Sequence, residues 1–525
     1  MKRKIIALLL SAVMTAGMLT GCGSGDTDSS QGAEQSQNTE QSQEGGTESQ
    51  VSDETGSEAS SPEEKEVVEL RMVMYGDMTT RREEFFKKEF HDAVLKDLNI
   101  DLSVEFLAWG SDKTTVANML ASGEAFAVWN IISSNDWDAK GYLAEIDEAL
   151  INEHCKDLIR VRTENNGFDC CKFNGKIYAI PFGSKPYAGR MQTFQVRNDI
   201  LKQVGMEASE ITTYEQLMEA CAAVKEKFPQ MRTVRGVSAL INILNSEISE
   251  QLLNTIDGIQ FAYVDELEDN DKVYSLYESE AFQNLCKIAE DWVQKGYVNM
   301  DVLSNPGQEV ADWDAGNCLL CYGTPGGMID TNTASNIEGV EFDLIKIGDF
   351  PYTKVRDYDW GFSISASDAA NVDRWLDLFN WMYKDEATYN FCIYGVEGQD
   401  WERTSEGGIN KLVEDSFFDG WFMEAMDYMV YNSALSQKAI DKYESNDDGS
   451  ILSKTAGFSF DSTNVASELA GMTAVYTELL QPMQYGLLSF DENYEKAIEQ
   501  LKGAGLDVYM EEYQKQYSAW YAENR

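Results

Sequence analysis

The apolar positions change period along the chain. Val67 to Tyr75 is a short, nearly continuous apolar run and predicts a strand. From Arg81 to Leu98 the period lengthens, with Phe85, Phe86, Phe90, Val94 and Leu98 at three-to-four spacing, which predicts one helix. Leu102 to Phe106 alternates, as a second strand does. Thr114 to Ala121 predicts a short helix, and Ala127 to Ile132 a buried strand without charges. Strand and helix in alternation predict a parallel sheet with right-handed crossovers. In such sheets ligands gather at the carboxyl ends of the strands. Asn135, Asp136 and Trp137 follow the third strand at one of those ends.

Further elements follow. Asn174 to Gly183 holds a turn, a strand and a Pro/Gly stop. Thr193 to Arg197 predicts a strand, followed by a helix from Asn198. Thr212 or Thr213 is suited to cap a helix running through Phe228. Gln283 to Gly296 is amphipathic and ends on glycine. Cys318 to Tyr322 and Tyr358 to Ser365 predict strands, and Val372 to Lys384 a helix. The carboxyl-terminal end is helical, with Tyr494, Ala497, Ile498 and Leu501 on one face and Leu506, Met510, Tyr513, Tyr517 and Trp520 on another. The chain carries no phosphate-cradling glycine loop and no internal repeat.

The amino-terminal pattern differs. Lys2-Arg3-Lys4 precedes an apolar run from Ile5 to Met18, and Leu19-Thr20-Gly21-Cys22 closes it. A basic head, an apolar core of this length and a small-residue end make a signal peptide over 1–21. The last four residues resemble a bacterial lipobox, which would make Cys22 the lipidated first residue of the mature chain. Residues 22–65 are rich in Ser, Gly, Gln, Thr and Glu, cannot bury enough surface to offset their ordering entropy, and predict a disordered acidic tether.

The formal net charge is -48. It argues against nucleic acid and against an anionic membrane surface as partners, since both need basic patches. Two histidines, His91 and His154, leave little room for histidine bases or a His-ligated zinc site. No cofactor is expected. The cysteines show no small disulfide scaffold, and Cys318-Leu319-Leu320-Cys321 reads as a buried strand rather than a metal or redox site. The acidic run Glu444 to Gly449 begins like a calcium loop but has Thr455 where a bidentate Glu is needed, so it reads as an exposed loop.

Several segments in order resemble the extracellular solute-binding lipoproteins of ABC importers, family 1, sugar-type. They are the lipobox and tether, Ala121-Ser122-Gly123-Glu124, Tyr178-Ala179-Ile180-Pro181 and Tyr394-Gly395-Val396-Glu397-Gly398-Gln399-Asp400-Trp401. The last resembles the YGxEG segment of a large subgroup. Phe458-Ser459-Phe460-Asp461, Glu468-Leu469-Ala470, Leu501 to Asp507 and Gln514-Lys515-Gln516 are similar to that subgroup's carboxyl-terminal domain. The resemblance implies an α/β fold of two lobes (the type II binding-protein fold), a hinge crossed several times and extra carboxyl-terminal helices. Lobe 1 would hold 66–186 and 363–430; lobe 2 would hold 187–362 and 431–525. It also implies a monomer on the outer face of a bacterial membrane, held by its lipid, that passes a solute to a permease. Val128-Trp129 replaces the family's usual acidic residue after the Gly-Glu strand start, and 351–358 is reshaped.

A sugar is held by aromatic faces against its C–H patches and by polar groups on its hydroxyls. The candidate ligand contacts are Asn135, Asp136 and Trp137 after the third strand, Tyr187 after the first crossing, and Tyr322 and Thr324 at another strand end. Trp360 near the return crossing, and Glu397 and Trp401 in the YGVEGQDW stretch, complete the set. No catalytic residue is expected: there is no serine nucleophile elbow and no barrel-hydrolase pattern, although chance carboxylate pairs abound. Capture of a carbohydrate, an oligosaccharide by this reading, is the expected function. A non-sugar solute such as a peptide, or a surface carbohydrate-active enzyme, are the alternatives.

Overall fold

The computed structural model describes residues 66–525 apart from 162–167, 182–192, 236–260, 323–341, 348–352, 355–359, 414–416, 419–422, 432–436, 442–450 and scattered single or paired positions. Along the chain, β1 (Val68–Tyr75) leads into α1 (Thr80–Lys87) and α2 (Glu89–Leu98). Next come β2 (Ile100–Leu107), α3 (Ala117–Ser122), β3 (Ala127–Ile131) and the short β4 (Ile180–Pro181). Then follow β5 (Thr193–Arg197), α4 (Tyr214–Lys227), β6 (Arg232–Arg235), α5 (Glu280–Gln294), α6 (Gly307–Asp314), β7 (Cys318–Tyr322) and β8 (Phe342–Lys346). The last stretch holds β9 (Thr353–Lys354), β10 (Trp360–Ile364), α7 (Val372–Met382), α8 (Glu386–Tyr394), β11 (Ile451–Leu452), α9 (Phe490–Ala504) and α10 (Leu506–Asn524).

Two main sheets carry the two cores. The first has the order β2-β1-β3-β10-β4, the second β8-β5-β7-β6. β1 runs parallel to both β2 and β3, as the strand-helix alternation predicts. Met72, Val73 and Met74 are all fully buried, because helices cover both faces of a parallel sheet. β10 is antiparallel to β3 and β4, with Trp360 opposite Ile131 and Gly361 opposite Pro181. Trp360 to Phe362 therefore belong to the first sheet, ahead of the boundary expected at 363. Gly361 is required there: a Cβ would lie 2.4 Å from the Ile180 carbonyl oxygen.

The first core gathers side chains from Leu70 to Ile180 and from Phe362 to Ala425. The second gathers those from Phe194 to Ile347 together with Phe458 to Trp520. The helix expected over 81–98 is broken at Lys88, whose φ of -131° is not helical. The break lets Phe85 and Phe86 turn separately. Phe85 meets Phe417 at 4.0 Å between centroids, and Phe86 meets Phe418 at 5.2 Å. Thr213 caps α4, and Gln216 closes a capping box. No described helix is long and apolar enough to cross a membrane.

Candidate functional site at the strand ends

Strand direction decides where a site can form. β1, β2, β3 and β4 point the same way and end at Tyr75, Leu107, Ile131 and Pro181, while β10 begins beside Ile131. In the second sheet β6, β7 and β8 run together and end at Arg235, Tyr322 and Lys346, and antiparallel β5 begins at Thr193 on the same edge. The chain leaves the first sheet after Pro181 to enter β5, and leaves the second after Lys346 to enter β10. Both crossings thus join the carboxyl edge of one sheet to that of the other, and a cleft between the lobes would be floored by these ends. β9 and β11 pair in parallel beside the return crossing.

On the first sheet this edge is built by a chain of side-chain hydrogen bonds. Asn130 Nδ2 donates to Ser363 Oγ at 3.0 Å, and Asn135 Nδ2 donates to Asn130 Oδ1 at 2.6 Å. The Trp137 amide donates to Asn135 Oδ1 at 3.1 Å. Asn130 is buried in a strand of apolar neighbours, where an unpaired amide would be costly, so the partners on both sides fix its rotamer. Tyr75 meets Trp129 edge to face at 5.9 Å on the same sheet.

The turn that follows is held from elsewhere. Ser462 Oγ donates to Asp136 Oδ2, and Lys140 pairs with Asp136 Oδ1 at 2.8 Å. Ser459 Oγ donates to Asp138 Oδ1 at 2.9 Å. Burial pushes the Asp138 carboxyl above the usual carboxylate range, against the opposing bonds from Ser459 and the Ala139 amide. Trp137 is 5 % exposed and packs in the first core.

The other aromatic stretch is also tied down. Arg81 opens α1, just past the carboxyl end of β1, and grips Asp400 with two bonds, Nε to Oδ1 at 2.8 Å and Nη2 to Oδ2 at 2.7 Å. The Asp400 side chain is wholly buried, and its Oδ2 also accepts the Val396 amide at 2.8 Å. Gly395 has φ of +82°, and a Cβ there would lie 2.2 Å from Phe417 and 2.5 Å from Asp400. Trp401 is 3 % exposed; its Nε1 donates to the Gly395 carbonyl, and its ring packs on Tyr394. Glu397 is exposed at the tip of this loop.

The expected contacts therefore fall into three groups. Asn135, Asp136 and Trp137 are brought together at the β3 end, with Asp136 and Trp137 engaged by protein partners. Glu397 and Trp401 lie in one loop, one facing solvent and one inward. Tyr187 and Thr324 lie outside the described residues, as do the side chains of Tyr322 and Trp360, whose backbones end β7 and open β10 on the crossing edges. The acidic run at 444–449 is likewise outside them. Asn130, Ser363, Asp138, Ser459 and Arg81 were missed in the sequence. One signal was available: Asn130 is a lone amide inside an apolar strand.

A groove of about 600 Å³ lies elsewhere, lined by Lys227, Phe228, Met231, Arg232, Asp312 and Asn317. It opens at the amino ends of β6 and β7, the edge away from the crossings, and so is separate from the strand-end site. Cys318 and Cys321 sit in a buried cluster with Trp313, as the apolar-strand reading has it. No group of three or more His, Cys, Asp or Glu side chains suited to a metal ion occurs among the described residues.

Comparison with known proteins agrees with this geometry. The chain is 23% identical over 487 residues to a carbohydrate ABC transporter substrate-binding protein of Streptococcus pneumoniae serotype 4, covering 88% of this chain and 93% of that one. Its structure superposes on the N-glycan transport solute binding protein of Streptococcus pneumoniae in complex with Man1GlcNAc. The TM-score is 0.70 at 19% identity, covering 87% of this chain and 100% of the other. The fold is that of a two-lobed solute-binding protein. The alginate-binding protein AlgQ2 shares this solute-binding fold at TM-score 0.58 and 15% identity, over 86% of this chain and 98% of that one. A family profile described as a domain of unknown function (DUF3502) matches residues 454–522, the carboxyl-terminal part of the second lobe.

Proposed function

We propose that this protein is the extracellular solute-capturing component of an ABC importer, and that it holds a carbohydrate, an oligosaccharide by preference, between its two lobes for delivery to the permease. The observation that carries the reading is the pair of carboxyl edges joined by both crossings, in a fold shared with solute-binding proteins solved with glycans. The protein binds without altering its solute and works as a monomer. It is held at the membrane by lipid on Cys22, with 23–65 as its tether. Asn135, Asp136, Tyr187, Tyr322, Thr324, Trp360 and Glu397 remain the proposed contacts, while Trp137 and Trp401 are buried and support the loops that carry them. Among them Asn135, Tyr322 and Trp360 stand at strand ends of the crossing edges, and Glu397 on an exposed loop tip.

Thermal denaturation with a panel of mono- and oligosaccharides, mannose-rich N-glycan fragments among them, tests this. A ligand at a hundred times its Kd stabilises the folded state by about 2.7 kcal/mol, a readily measured rise in Tm. Stabilisation by amino acids or peptides with every sugar silent would replace the carbohydrate reading with that of a non-sugar binder.

A further inference from the structure

The segment 453–462, where the matched carboxyl-terminal region begins, is bonded to both lobes. On the second-lobe side, Tyr517 Oη donates to the Lys454 carbonyl at 3.3 Å and Arg525 Nη2 to the Ser453 carbonyl at 2.6 Å. Lys454 Nζ donates to the Asp265 carbonyl at 2.9 Å. Gln516 binds the backbone of Asp461 in both directions, at 2.9 Å each way. Phe458 and Phe460 pack on Tyr517 and Tyr513 of α10 at 5.2 Å and 4.6 Å. On the first-lobe side, the Asn174 amide donates to the Gly457 carbonyl at 3.2 Å, Ser459 donates to Asp138, and Ser462 donates to Asp136. The segment also follows directly on β11, which pairs with β9 of the return crossing.

We propose that this segment is the pivot of lobe closure, and that holding it is a task of the carboxyl-terminal region. The contacts to lobe 1 are buried: Asp138, Ser459 and Ser462 are each at most 7 % exposed. A buried carboxyl that had to lose its hydroxyl partner at every opening would oppose the motion. Contacts beside the crossings lie near the rotation axis, where a hinge changes distances least, so they stay made in the open and closed states. The same turn carries Asn135 and Trp137. Ser459 and Ser462 are therefore positioning residues: they keep the β3 end in one geometry while the second lobe swings. The inference rests on the two-lobed closure of the proposed function and not on the identity of the solute.

The test is single-molecule energy transfer between dyes on the exposed positions Glu153→Cys in lobe 1 and Glu207→Cys in lobe 2, in a chain that starts after Cys22; the eight native cysteines that remain are buried. This chain is measured without ligand. Ser459→Ala and Asp138→Ala are expected to broaden the inter-lobe distance distribution by about twofold, as an unpinned hinge samples more angles. Asp138→Asn keeps an acceptor for Ser459 and is expected to leave the distribution as in the parent, which separates pinning from charge. An exposed hydroxyl removed by Ser467→Ala serves as control. Unchanged distributions in both alanine variants, with folding verified by thermal denaturation, would overturn the pivot. If Asp138→Ala does not fold, Ser459→Ala against the parent decides. Because no sugar is added, a failed glycan panel leaves this result readable.

Discussion

Single side chains at the strand ends carry charge into the interior, and their chemistry is testable. Asp138 prefers to be neutral in the folded protein, since burial holds its carboxyl above the ordinary range. A raised carboxyl pKa means that its contribution to stability is fully present below the unfolded value and is lost as pH rises through the folded value. Above the folded value the fold bears a buried charge. Asp138→Asn removes that charge and keeps the acceptor for Ser459, so its Tm relative to the parent is expected to be higher at pH 7 than at pH 4. Paired thermal melts at the two pH values check this, and an equal difference at both would show that Asp138 titrates normally. Residues of this kind were poorly legible beforehand. Asp136 and Trp137 were singled out by their place after a strand, but nothing near them in the sequence points to Ser459 or Ser462, more than three hundred residues on.

At the scale of elements, periodicity did most of the work. Thr193–Arg197 and Cys318–Tyr322 have the predicted bounds: the first alternates polar and apolar residues, and the second is a short apolar run between polar flanks. Thr213 caps α4 because its hydroxyl and the Gln216 amide fit the two ends of a capping box. The break at Lys88 was invisible, since the phenylalanine spacing continues across it and the rings that Phe85 and Phe86 meet, Phe417 and Phe418, lie far along the chain. The YGVEGQDW stretch carried a family signature, yet its partner Arg81 lies on another element far back in the chain. That pair is expected to hold α1 to the loop after α8. Arg81→Ala strands the Asp400 carboxylate in the interior and is expected to cost about 3–5 kcal/mol. Urea denaturation measures it, and a loss below about 1 kcal/mol, the range of an exposed pair, would place Asp400 in contact with water.

At the scale of the molecule, the two lobes are unequal in how they are closed. The first core is completed by α7 and α8. The second is completed by the carboxyl-terminal helices, with Tyr509, Tyr517 and Trp520 buried in it. Ending the chain before Leu506 would strip Phe458 and Phe460 of their ring partners. Such a chain is expected to lose amide protection in α4 and α5 and to keep it in α7. Hydrogen exchange followed by mass spectrometry reads the two regions separately. Loss of protection in both at once would show that the lobes fold as one unit. Periodicity names strands but not the sheet each one joins, so the division of the strands between two sheets was not legible from it.

The place of β10 has a consequence for how the protein is made. It fills the middle of the first sheet, between β3 and β4, yet it is synthesised after all of the second. Until Trp360 to Ile364 emerge, the growing chain presents β3 with a bare flank, the kind of surface on which neighbouring chains polymerise. A strongly negative polypeptide repels its own copies, so the excess of carboxylates gives unfinished molecules a way to stay apart while they wait for the missing strand.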